Sequence, residues 1–236
     1  TMRQPERNSC ARIGRETPEM VAFSVMYLDQ LPFALALAKY MAHELRSGCR
    51  IVMGGAAMSA LAPEELLLAA PFVDAVLTGE GELPFAALLD NQLLPLIPGC
   101  TYRDQGAIAF SGPGRVVDHL DLLSGADFSQ LAEGGYFNPV PVMPLYGSRG
   151  CKWRRCRFCA HNQSFGQHRA RSAMAVAMEM QERRQRYGCR HFYLVDQYVD
   201  PLSLDQLSDA ILSLGLDCRF QVMARTVGDY TPALLN

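Results

Sequence analysis

Three cysteines, Cys151, Cys156 and Cys159, fall within nine residues of this 236-residue chain, in the stretch GSRGCKWRRCRFC. Thiolates are the ligands that hold iron–sulfur clusters. The spacing C-x4-C-x2-C delivers three of them from one loop, enough for three irons of a [4Fe–4S] cluster, with the fourth iron open to a substrate-like ligand. The same residues admit other chemistry. A plant-type [2Fe–2S] ferredoxin uses this spacing with a distant fourth cysteine, which Cys189 could supply. A Cys3His zinc site would add His161, with only one residue between its last two ligands. The basic run KWRRCR would then point to nucleic acid. Three buried thiols without metal would need a less basic, less glycine-flanked setting. Lys152, Arg154, Arg155 and Arg157 could form a solvated face, offset the charge of a thiolate-bound cluster or meet an anionic substrate. Cys10, Cys49, Cys100, Cys189 and Cys218 are scattered and read as small core residues.

The elements that must position this loop alternate strand and helix. MVAFSVMY (20–27), RIVMGG (50–55) and VDAVLTG (73–79) are short apolar runs that read as buried strands. Between them lie a helix from Leu31 to Arg46, which Gly48 ends, and PEELLLAA (63–70), which opens on Pro. A further helix runs from Leu83 to Leu89. This order predicts a parallel, doubly wound sheet. Residues 92–140 form a loop-rich connector with a hairpin, CTYRDQGAIAF, at its centre. Then βα units resume: strand 142–148, the cysteine loop, helix 172–187 stopped by Gly188, strand 191–196, helix 202–215 with Ser203 as its cap, and strand 218–224. Three strands and two helices match the start of a β/α barrel, whose chemistry sits at the carboxyl ends of its strands.

The bulk numbers bound the function. Hydrophobic residues make up 49% and charged residues 19%, with a formal net charge of −2. No global field favours nucleic acid or an anionic membrane. The longest apolar run, Leu31 to Ala38, stops at Lys39, short of the ~18 residues a spanning helix needs. TMRQPERNSCARIGRETPE holds no apolar signal segment. A cytoplasmic protein is expected, with neither nucleic acid nor membrane as partner. The chain opens on Thr and closes just after a strand, at PALLN, so two incomplete domains are expected.

Ser148, Arg149, Gly150, Cys151, Trp153, Cys156, Phe158 and Cys159 together resemble the cluster loop of the radical S-adenosylmethionine (SAM) superfamily, especially its cobalamin-binding branch. The extra residue between the first two cysteines departs from the superfamily's commonest C-x3-C-x2-C, and matches its Trp-containing members better. The resemblance implies a [4Fe–4S] cluster on Cys151, Cys156 and Cys159, with SAM on the open iron. Phe158 would then lie beside the adenine. Asp196, ending the next strand, would meet the SAM amino group, and Arg225, ending the third, its carboxylate or the substrate. Arg169, Arg171 and Glu179 fit the family's entry to the first barrel helix. Tyr198 and Asp200 are weaker site candidates. His161, His168 and His191 read as structural or exposed. The front of the chain resembles a cobalamin-binding domain: Ser24-Val25-Met26 ends one strand, Gly54-Gly55 the next and Gly79-Glu80-Gly81-Glu82 the third. Ser24, Gly54, Gly55, Gly79 and Glu80 would contact cobalamin at the carboxyl ends of the strands, where doubly wound sheets bind ligands. A Rossmann-like domain without cofactor, or with another nucleotide, is the alternative, although no G-x-G-x-x-G follows a strand.

The expected layout is thus a cobalamin-binding Rossmann-like domain over 1–91, the connector over 92–140 and the start of a radical SAM partial barrel over 141–236. The implied reaction is reductive cleavage of SAM, with cobalamin-dependent methyl transfer to an unactivated carbon of a small-molecule or peptide substrate. An external one-electron donor such as a flavodoxin or ferredoxin is implied. A cyclase or rearrangement enzyme of the same branch is the alternative, and an electron carrier or a zinc module the alternative of another class.

Overall fold

The computed structural model describes residues 17–45, 48–129, 140–159, 165–225 and 230–231. The chain divides between Val117 and Asp118 into two compact units. In the first, β1 (Met20–Ser24), β2 (Arg50–Gly54) and β3 (Ala75–Leu77) pair in parallel. Helix α1 (Leu31–Glu44) connects β1 to β2, α2 (Pro63–Ala69) connects β2 to β3, and α3 (Glu82–Leu89) follows β3. Arg46, the expected end of α1, lies outside the described residues.

Successive side chains of a strand point to opposite faces. Ile51, Met53 and Val76 pack with Ala38 and Met41 of α1 and with Leu66 and Leu67 of α2. Val52, Ala75 and Leu77 pack with Leu88 of α3 on the other face. Helices therefore cover both faces of an α/β sheet. Burying each such aliphatic side chain contributes about 1.5–3 kcal/mol.

The expected connector is divided between the units. Its hairpin, β4 (Cys100–Asp104) and β5 (Ala107–Phe110), turns through Gln105 and Gly106, both at positive φ. That backbone suits the two-residue turn of a twisted hairpin. β4 pairs antiparallel with β3, so the sheet order is β1-β2-β3-β4-β5. Arg103 of β4 fastens the addition: its Nε donates to Val73 O at 3.0 Å and its Nη2 to the carbonyls of Leu67 and Ala70. The Leu67 and Ala70 carbonyls close α2, where a cation also meets the negative end of the helix dipole.

In the second unit β6 (Val142–Leu145), β9 (His191–Leu194) and β10 (Arg219–Gln221) form a parallel sheet in the order β10-β9-β6. Between β6 and β9, a two-stranded ribbon, β7 (Ser148–Arg149) with β8 (Arg169–Ala170), brackets the cysteine loop. Helix α4 (Ala173–Tyr187) takes Ser172 as its cap and ends at Gly188 in the left-handed region. Helix α5 (Pro201–Ser213) is capped by Asp200, whose carboxylate accepts from the Ser203 N–H. Ser203 is therefore not the cap: Pro201 is already the first helical residue, as its fixed φ favours. Met143, Leu145, Phe192 and Leu194 pack beneath Val176, Met180, Leu204 and Leu207 of the two helices. The strands are shorter than the apolar runs suggest, because 146–148, 195–196 and 222–224 leave the ladder to build the site. Among the described residues no helix is long and apolar enough to cross a membrane.

Candidate functional site

The cysteine loop hangs from the carboxyl end of β6. Val195 N–H donates to Leu145 O at 2.8 Å, and Arg171 N–H to Gly147 O at 2.8 Å, closing the turn that leaves the strand. Gly150 follows at φ +78°, and a Cβ there would lie 2.9 Å from Gln167 O. Only glycine lets the two sides of the loop pass so closely. On the exit side Arg169 donates to Phe165 O at 3.2 Å and to Gln167 O at 3.4 Å.

Cys151, Cys156 and Cys159 are half-buried and in no disulfide. Cys159 N–H donates to Cys156 O at 3.2 Å, so the last two cysteines share one turn. The donor set suits a cluster with three thiolate ligands. Among the described residues no three His, Cys, Asp or Glu side chains are already gathered around a metal position. The loop supplies the donors, and binding would gather them. Phe158 is 92% exposed and touches little of the protein.

The residues expected beside the cluster fall in two groups. Asp196 is 1% exposed. Gly147 N–H donates to its Oδ2 at 2.9 Å and the Ser148 hydroxyl to its Oδ1. Burial pushes its pKa up, against the opposing pull of the bonds from Ser148 and Gly147. Both its oxygens thus shape the start of the loop. Asp200 meets Lys152 of the loop, Nζ to Oδ2 at 2.5 Å. Burial opposes ionisation of Asp200, but the bonds from Lys152 and Ser203 outweigh it and hold the carboxyl at about 2. Arg225 stacks on Trp153, its Cζ 3.7 Å from the ring centroid, and faces Tyr198 at 5.7 Å. Arg155 also lies over Trp153, at 5.0 Å.

A small cavity of about 90 Å³ opens at the carboxyl ends of β6 and β9, lined by Ser148, His168, Asp196, Asp200 and Ser203 among others. Ligand pockets commonly run to roughly 300–1,000 Å³, so a nucleoside would lie over this hollow. Burial, helped by the Lys152 charge, lowers the pKa of His168 in its wall. Arg171 and Glu179 do come together: Glu179 bridges Arg171 and Arg183, while Asp121 of the connector accepts from Ser172 N–H at 3.1 Å. This network fastens the connector to α4.

Cys189 is buried beside the amino end of β9, its Sγ 3.0 Å from His191 O. The cysteine loop leaves the opposite, carboxyl end of the parallel β6. Cys189 is therefore no fourth ligand for the loop, which removes the ferredoxin arrangement built on it. His161, the zinc alternative's fourth ligand, lies outside the described residues, as does Cys10. His191 is half-buried within β9. Burial pushes the Cys100 thiol up to about 11 and raises those of Cys49 and Cys218, as befits inert thiols.

In the first unit Ser24 and Gly54 stand opposite each other in the β1–β2 register. Gly55, at φ +97°, lies so close to the chain after β1 that a Cβ would sit 2.5 Å from Val25 O. Gly79, at φ +86°, has open space where its Cβ would be, and its N–H donates to Ser59 Oγ at 3.1 Å. Glu80 is buried, and its Oε2 accepts from Val117 N–H at 2.9 Å. Its carboxylate is thus turned towards the chain itself. Met26, Tyr27 and Leu28 are exposed at the same edge. Gln30 shapes their loop by accepting from Met26 N–H at 3.0 Å and Tyr27 N–H at 3.2 Å.

Residues 2–89 match the B12 binding domain family. The first unit therefore resembles a B12-binding domain. Its carboxyl edge, where Ser24 and Gly54 end two paired strands and Gly79 lies two residues past the third, is where such a sheet takes its ligand. Over 203 residues, 81% of this chain, it is 28% identical to an uncharacterised methyltransferase of Pyrococcus horikoshii, of which that stretch is 43%. It is 30% identical over 148 residues, 61% of the chain, to the hopanoid C-3 methylase of Methylococcus capsulatus, 28% of which is covered. The chain thus spans less than half of each relative. Among solved structures, the cobalamin-dependent SAM radical enzyme OxsB, with aqua-cobalamin and SAM bound, superposes with a TM-score of 0.75. The match covers 97% of this chain and 33% of OxsB at 17% identity. The radical SAM methyltransferase TsrM of Kitasatospora setae, with tryptophan and a SAM analogue bound, gives 0.62 at 15% identity, over 81% of this chain and 39% of TsrM. These likenesses establish the α/β fold alone.

Proposed function

We propose that the chain is the cobalamin-binding and cluster-bearing portion of a radical SAM methyltransferase. The observation that carries this reading is the loop of three thiols at the carboxyl end of β6, following a unit that matches the B12 binding domain family. A [4Fe–4S] cluster would supply the electron that breaks SAM, and cobalamin the methyl group. The chain's own residues bind and position: Cys151, Cys156 and Cys159 hold the irons, and exposed Phe158 is free to cover the adenine. Asp196 shapes the entrance of the loop instead of touching SAM, which its buried, doubly bonded carboxylate supports. Ser24, Gly54, Gly55 and Gly79 line the cobalamin edge, and Glu80 braces it from behind. The methylase and methyltransferase relatives favour methyl transfer over cyclisation or rearrangement. The substrate is a small molecule or peptide, the electron donor a flavodoxin or ferredoxin, and the location the cytoplasm.

The test is anaerobic reconstitution with iron and sulfide, an iron count, and the electron paramagnetic resonance spectrum of the reduced protein with and without SAM. About four irons and a spectrum that moves with SAM are expected for an open-iron cluster. About two irons and indifference to SAM would make it an electron carrier, and one tight zinc without iron would overturn the proposal. Isotope-labelled SAM then distinguishes methyl transfer, which leaves the label in the product, from rearrangement.

A further inference from the structure

Three side chains from the far ends of the second sheet reach the entry half of the cysteine loop. Asp196, two residues past β9, holds Ser148. Asp200, the cap of α5, holds Lys152. Arg225, four residues past β10, lies over the Trp153 ring. The first two contacts are made by carboxylates that their own neighbours also bind. The third differs. A guanidinium 3.7 Å from an indole centroid is well inside the ~6 Å reach of a cation–π contact, and its planar group stacks where an ammonium would not. Trp153 stands between Cys151 and Cys156, so whatever holds its ring limits where both thiols can go.

We infer that Arg225 is a positioning residue of the cluster loop, acting through Trp153, and not a ligand of SAM. The inference rests on the cluster reading above. With Ser148, Lys152 and Trp153 each tied to a different point of the β9–α5 and β10 ends, the entry half of the loop is held over the carboxyl side of the sheet. Cluster binding would then gather Cys156 and Cys159 towards a fixed Cys151.

Trp153 is the sole tryptophan of this chain, so its emission reports the contact directly. Acrylamide quenching of the iron-free chain is compared with that of Arg225→Ala and Arg225→Lys. After anaerobic reconstitution the same proteins, with Trp153→Ala, Trp153→Phe and the Trp153→Ala/Arg225→Ala pair, are followed for loss of iron to a chelator. Their reduced spectra are recorded with and without SAM. Arg225→Ala should expose Trp153 to the quencher and release iron about fivefold faster, with Arg225→Lys between it and the parent. Trp153→Ala should match it, the double variant should be no worse than either single one, and Trp153→Phe should recover most of the retention. The SAM-induced spectral change should survive in every variant. Unchanged quenching and retention with a lost SAM response would overturn the inference and make Arg225 a SAM ligand. Losses that add in the double variant would overturn it too. A parent chain that takes up no iron would sink the cluster reading, and the quenching comparison alone would still decide whether Arg225 covers Trp153.

Discussion

Gly55 and Gly79 look alike in the sequence, each following a strand, yet the structure gives them different work. Gly55 needs its missing Cβ because the chain at Val25 occupies that space. Gly79 has nothing within 4 Å of the same point and is bound only by its φ. Gly55→Ala should therefore lower the stability of the first unit by about 3 kcal/mol, from overpacking and backbone strain together. Gly79→Ala should lower it by only about 1–2 kcal/mol while weakening cobalamin binding, because the added methyl group points into open space at the ligand edge. Chemical unfolding and cobalamin titration of both variants separate the two roles. Equal effects on binding at equal stability would show that the glycines act alike. At this scale the cysteine spacing was legible, because it is a property of the chain itself. The inward turn of Glu80 was not: only the fold brings Val117, thirty-seven residues away, to its carboxylate. Nor was the partner of Trp153, although a lone indole in a basic loop already hints at one.

Helix α5 begins at an Asp-Pro pair, and Asp200 there both caps the helix and answers Lys152. Its carboxyl is held at about 2, below the usual 3.8, so it adds stability only while ionised. That contribution is complete above about pH 4 and is lost as the pH falls through about 2. Asp200→Asn keeps the cap, since Asn caps as well as Asp, and removes the ion pair. Lys152 is half exposed, so the variant should lower stability at pH 6 by at most about 1 kcal/mol. The difference should shrink steadily between pH 4 and pH 3, as read from urea midpoints. A gap that stays constant across that range would show that the charge on Asp200 adds nothing. The helices were legible because their apolar spacing and end residues are local signals. The strand ends were overestimated: apolar residues such as Val195 and Val222 continue the run after the ladder has stopped. The antiparallel joining of β4 to β3 left no local mark at all, since its partners lie about 25 residues apart and Arg103 reaches back to the end of α2.

The two units keep separate cores, one formed by the first sheet and its helices and one beneath α4 and α5. A chain cut after Val117 retains every strand pair of the first sheet and the Glu80–Val117 bond, so it should fold and bind cobalamin alone. A chain cut after Asn91, where the sequence places the domain end, lacks β4 and β5 and bares the edge of β3. It should be insoluble or molten, as an unpaired strand edge invites aggregation. Circular dichroism and gel filtration of the two truncations decide between the boundaries, and a compact 1–91 piece would restore the one at 91. The strand order of this sheet, β1-β2-β3-β4-β5, follows the order of the chain without a single jump. Each strand can meet its partner as soon as it is made, across one helix or one turn, with no later strand needed to complete an earlier pair. On the ribosome the first unit can thus close before the cysteine loop has been synthesised, so the thiols emerge only after that unit has folded.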